Sequence, residues 1–76
     1  MDRVDKKEEI RVARTSKEVQ RKVLSQAFVI VVKREGLRLR VNSINGSRMF
    51  PSVDQNDRSR INVDVHDSIV TRSWIG

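Results

Sequence analysis

Few residues of this chain could carry out a reaction. It has one histidine, His66, followed directly by Asp67, and no cysteine. A serine-type triad would have to use His66 as base and Asp67 to orient it. Adjacent residues on an extended chain point apart, so the pair is expected not to form a ready dyad. Without thiolates and with a single imidazole, a metal site is not expected either. No glycine-rich phosphate loop, Walker sequence or H-E-x-x-H pattern occurs. The chain therefore reads as a non-enzyme with no cofactor, and the chemistry left to it is recognition. Arg58 and Arg60 stand out here. Two residues apart on a strand they would share one face, and their planar guanidinium forks suit carbonyl or carboxylate oxygens. The plainer reading of both is as solvated residues on an exposed strand face.

The elements that would position these residues follow from periodicity. Arg58, Arg60, Asn62 and Asp64 alternate with Ile61, Val63 and Val65, which predicts a half-buried strand. His66-Asp67-Ser68 then reads as a turn and residues 69–75 as a second apolar run. Upstream, Ser16 reads as a helix N-cap with Glu18 in the first turn. Val19, Val23, Leu24 and Ala27 recur at helical spacing opposite Lys17, Gln20, Arg21 and Lys22, so an amphipathic helix is expected over 16–26. Four β-branched residues after Phe28 favour a strand over 28–33, turning at Arg34-Glu35-Gly36 into a second strand over 37–43. The alternative is one long helix capped by Gly36. Residues 43–56, with Asn45-Gly46, Pro51 and several serines, read as a long loop carrying Met49, Phe50 and Val53. Residues 1–15 read as a flexible basic tail and 16–76 as a single domain. The expected fold is α+β, with one amphipathic helix packed on a small mixed β-sheet and a long exposed loop.

Seventy-six residues allow one small domain with a modest core. No run of 18 apolar residues occurs, so no membrane partner is expected. The charged first residues lack an apolar segment behind them, unlike a secretory signal, which points to a cytoplasmic protein, or a secreted one whose leader was removed. The net charge of +6 arises entirely in residues 1–40, which hold 12 Lys and Arg against 6 Asp and Glu. Arg14, Lys17, Arg21, Lys22, Arg38 and Arg40, with Arg11, form a candidate phosphate-contacting surface for nucleic acid. The plainer reading is a solubilising, charge-interleaved surface. With two Phe, one Trp and no Tyr, base stacking has little to work with. A third reading is a structural or oligomeric accessory, monomer or dimer, whose exposed 37–43 strand pairs across a dimer.

The last third of the chain resembles the potato inhibitor I family of serine-protease inhibitors. In that family a D-R-x-R-hydrophobic-x-V-D strand leads through a short turn to a chain end close to V-G. Asp57-Arg58-Ser59-Arg60-Ile61-Asn62-Val63-Asp64 fits that pattern, and Asp67, Ile69 and Ile75-Gly76 follow at compatible spacing. Arg60-Ile61-Asn62-Val63 is also similar to the R-L-N-V signature of related microbial inhibitors. Ser16-Lys17-Glu18 with Lys22-Val23-Leu24 resembles the family's helix. The likeness covers about half of the chain. It implies a serine protease as partner, engaged by an exposed loop of Met49, Phe50, Pro51, Ser52, Val53 and Asp54. Arg58 and Arg60 would brace that loop, with Asp54 as the candidate acidic partner. The sequence departs from the pattern in two places. A gapless count puts the scissile-bond residue at Ser52, where Pro51 and Val53 replace the family's threonine and acidic residue. With an insertion, Met49 or Phe50 would take the recognition position and suit an apolar pocket.

Overall fold

The computed structural model describes residues 6–49 and 57–76. The elements run α1 (Lys6–Val19), α2 (Leu24–Val32), β1 (Arg38–Ile44), β2 (Ser47–Arg48), β3 (Arg60–His66) and β4 (Ile69–Ile75). The result is an α+β fold with two helices on one four-stranded mixed sheet of order β2-β1-β3-β4. β1 and β3 are parallel, while β2 and β4 are antiparallel to their neighbours.

α1 starts ten residues before the expected N-cap. Glu8 and Glu9 sit in its first turn and Lys17 in its last, matching the helix dipole at both ends. Val12, Thr15, Ser16 and Val19 recur at three- and four-residue spacing and form its buried face. Residues 6–15 are therefore part of the folded domain rather than a tail. The signal was obscured because two of the four buried positions are polar. Ser16 caps nothing: its Oγ donates to Ser73 Oγ at 3.0 Å, and Ser73 Oγ donates to the Ser16 carbonyl at 2.6 Å, which seats α1 on β4.

The expected helix over 16–26 is broken in the middle. Arg21 takes a φ of +66° and the Lys22 N–H returns to the Val19 carbonyl. Residues 21–24 then run along the edge of β4. Arg21 N donates to Val70 O at 2.7 Å, Val70 N to Lys22 O at 2.8 Å, and Leu24 N to Ser68 O at 2.8 Å. These bonds to the sheet outweigh the continuing helical pattern.

The apolar run after Val23 forms α2, not a strand, so the expected hairpin between 28–33 and 37–43 is absent. β-branching costs a helix only a few tenths of a kcal/mol per residue. Burial of Ala27 and Val31, with Leu24 and Ile30 packed against the core, offsets it. Phe28, Val29 and Val32 stay exposed. The turn at Gly36 forms as read, with φ +84° and the Leu37 N–H bonded to Arg34 O at 3.1 Å.

The strand expected over 37–43 exists as β1, but its partner is β3. Leu39 pairs with Ile61, Val41 with Val63 and, after a bulge, Ile44 with Val65. In the sheet order β1 lies between β3 and the short β2, which pairs with Ser43 and Ile44 on its other side. The Asn45-Gly46 turn joins β1 to β2 with positive φ at both residues (+49° and +84°), the type I′ pattern of tight hairpins. β3 and β4 form the expected hairpin around Asp67 and Ser68.

Alternation along the strands assigns the two faces of the sheet. Ile61, Val63, Val65 and Val70 meet Val12, Val19, Ala27, Val31 and Leu37 in the core beneath the helices. The register places Arg38, Arg40, Ser43, Arg60, Asn62, Asp64, Arg72 and Trp74 on the opposite, helix-free face.

Candidate functional site

Of the six residues expected to contact a protease, the structure describes Met49; Phe50, Pro51, Ser52, Val53 and Asp54 lie outside the described residues. What the structure defines is how the two flanks of that segment are held. On the upstream side, Met49 N–H donates to the Asn42 carbonyl at 2.9 Å, extending the β1–β2 pairing by one bond. The Met49 side chain is exposed and lies on an open apolar groove lined by Leu39, Val41 and Ile44, with Arg40 at its margin.

The downstream flank is tied more tightly. Asp57 forms an ion pair with Arg38. The other oxygen of that carboxylate accepts from Ser59 N at 2.8 Å, an Asx turn that sets the entry to β3. The Arg60 N–H donates to Asp57 O at 3.1 Å and the Arg38 N–H to Ser59 O at 2.9 Å. Asp57 is a site residue that the motif placed at its border without giving it a role.

Arg58 and Arg60 do not act together as expected. β3 begins only at Arg60, and Arg58 occupies the preceding turn. There Arg58 Nη1 lies 3.8 Å from a Glu9 carboxylate oxygen on α1. Both groups of that pair are well exposed, so it contributes little. Arg60 is engaged differently. Its Nε donates to the Gly76 carbonyl at 2.9 Å, Nη2 donates to the same oxygen, and Gly76 N returns a bond to Arg60 O at 3.1 Å. The guanidinium fork thereby joins the start of β3 to the residue after β4.

The six cations of the alternative surface are separated by the sheet. Arg14 and Lys17 lie on α1, and Arg21 and Lys22 in the link that follows it, over the core face. Arg38 and Arg40 sit in register with Arg60 and Asn62 on the other face. Arg38 is paired with Asp57, and Arg40 Nη1 donates to Asn42 Oδ1 at 3.3 Å. One continuous phosphate-binding surface through all six is not formed. Elsewhere on the helix-free face, the Arg72 guanidinium stacks 4.8 Å from the centre of the Trp74 ring.

His66 and Asp67 come closer than extended geometry predicts. His66 Nε2 is 3.4 Å from Asp67 Oδ2, because a φ of +50° at Asp67 turns its side chain back. Both side chains are largely exposed, and no described serine hydroxyl is bonded to the imidazole. Among the described residues no three His, Cys, Asp or Glu side chains gather as metal ligands, and no helix is long and apolar enough to cross a membrane.

Comparison with protein-family models, with curated proteins and with solved structures returned no match for this chain.

Proposed function

We propose that the protein is a small inhibitor-like binding domain that presents residues 49–54 to a serine protease and acts by recognition rather than catalysis. One observation carries the reading: both flanks of the 50–56 segment are tied to the same strand. Met49 is bonded to Asn42 and Asp57 to Arg38, four residues apart on β1. At the rise of a strand, that separation is about 13 Å. A connection whose ends are fixed at such a spacing has less conformational entropy to lose when a partner grips it, which is the main advantage of a substrate-like inhibitor loop. Strand alternation, the parallel β1–β3 pair and the Asp57 to Val63 pattern support the same reading. In this reading bracing falls to Arg60 and to the Arg38–Asp57 pair, beside Arg58 in the turn that enters β3. Met49 and Phe50 are the residues suited to an apolar specificity pocket.

The test is a titration against trypsin-, chymotrypsin- and subtilisin-like proteases, with any cleavage mapped by mass spectrometry. Stoichiometric inhibition with slow cutting at one bond between Ser47 and Asp54 is expected, strongest towards enzymes with apolar pockets. Absence of inhibition at micromolar protein, or rapid digestion at scattered bonds, refutes the proposal.

A further inference from the structure

The outer side of α2 is left uncovered by the fold. Its nine residues, LSQAFVIVV, carry no ionisable group, and of them only Ala27 and Val31 are buried. Phe28, Val29 and Val32 remain 52%, 51% and 65% exposed. A helix with apolar residues on every side is normally covered on every side, and a contiguous apolar patch at a surface marks an interaction site. Ser25, Phe28, Val29 and Val32 follow one another at three- and four-residue spacing. They therefore form one seam, set apart from the Ala27 and Val31 side that meets the core.

The ends of α2 are as incomplete as its side. No side chain caps the N-terminus, the first turn holds no acidic residue and the last turn no basic one. Nothing on the helix itself therefore complements its dipole at either end. Lys22 stands just before α2 and Glu35 just after it, both exposed. Neither side chain makes an ion pair or hydrogen bond with the described residues. Of the other charges at these ends, Arg34 is held by Glu18 at 2.8 Å, while Arg21 and Lys33 are exposed.

We propose that the α2 seam is the interface of a two-fold dimer, covered by a second copy of this chain lying antiparallel to the first. A two-fold axis passing between Phe28 and Val29 sets Phe28 opposite the partner's Val29, and Ser25 opposite the partner's Val32. The small serine thus makes room for the larger valine. The same register sets Lys22 opposite the partner's Glu35, twice by symmetry, Lys33 opposite the uncharged Leu24 and Arg21 opposite Gly36. Lys22 then stands at the C-terminal end of one α2 and Glu35 at the N-terminal end of the other, the sign that each end lacks. This match of charges selects a second copy as the occupant. A foreign acidic segment would answer Lys22 and Lys33 but would oppose Glu35, whereas two copies meet here without cation facing cation. Nine residues make a helix about 13 Å long, so the contact is at the small end of specific interfaces and the dimer is weak. Residues 22–35 include none of the proposed protease-binding segment or its anchors Arg38, Asn42 and Asp57, so the two proposals stand or fall separately.

The test is sedimentation equilibrium of the whole chain from about 5 µM to about 1 mM. The mass is expected to rise from monomer to dimer with a midpoint of about 100 µM. Val32→Lys, at an exposed position, should keep the chain monomeric over that range, with thermal unfolding at the lowest concentration unchanged. Lys22→Glu and Glu35→Lys each place like charges opposite one another and should each weaken the dimer about tenfold, while the double exchange should restore it. Lys22→Glu also lowers the net positive charge, so general repulsion between copies would predict tighter association instead. A monomer throughout, a Val32→Lys chain that still dimerises, or a double exchange no tighter than the single ones would overturn the proposal.

Discussion

Replacing Gly36 with alanine isolates one conformational contribution to the fold. Gly36 has φ +84° in the turn closed by the Leu37 N–H on Arg34 O, and this turn also delivers the Glu35 carbonyl to Arg11. A Cβ at this position would meet Arg11 Nη2 at 3.9 Å, an ordinary contact, so no clash contributes. The cost is then that of a left-handed L-residue, about 1–2 kcal/mol. It is offset by the roughly 0.4–1 kcal/mol that alanine gains by narrowing the unfolded ensemble. The net expectation is a loss of about 1 kcal/mol, or about 4–8 °C in Tm for a domain of this size. Urea and thermal unfolding of synthetic chains would measure it. The decisive comparison places D-alanine at the same position, which adopts positive φ without strain and should equal or exceed the glycine protein in stability. If L-alanine is neutral, or L- and D-alanine behave alike, the turn does not hold the conformation on which the Arg11 contact depends.

Two further substitutions probe the sheet. Ser68→Gly should stabilise the protein by about 0.5 kcal/mol in urea unfolding, because Ser68 holds φ +69° in the β3–β4 turn where glycine carries no side-chain penalty. A destabilised Ser68→Gly would mean that the hydroxyl contributes more than the backbone strain costs. Val63→Ala, at a fully buried position between β1 and β4, should cost about 2 kcal/mol by loss of two buried methyl groups and the space they leave. An unchanged midpoint would contradict the placement of Val63 at the centre of the core.

The parts of the fold legible in the sequence are those governed by local rules. The alternation of Ile61, Val63 and Val65 marked β3, the Asp67-Ser68 turn marked the hairpin, and Gly36 took the positive φ foreseen for it. The readings that failed depended on distant partners. Val29 to Val32 carry strand propensity, yet Ala27 and Val31 find burial against the sheet as one face of a helix. The sheet edge breaks the helix at Arg21 because β4, some fifty residues downstream, supplies hydrogen bonds there. Of the candidate site, the strand arginines were visible by type, while their separation was not. The start of β3 at Arg60 leaves Arg58 in a turn facing Glu9, and no side-chain period encodes a strand boundary that sharply.

By itself, then, the sequence determined a small basic α+β chain with its positive charge in the first 40 residues and a well-marked C-terminal hairpin. Only the tertiary structure decided that β1 lies parallel to β3, that Asp57 anchors to Arg38, and that α2 leaves Phe28, Val29 and Val32 exposed. The physical reason is range. Side-chain period and turn chemistry act over a few residues, whereas strand pairing and the side of a helix left open are settled by which buried surfaces meet, and those lie far apart in the chain.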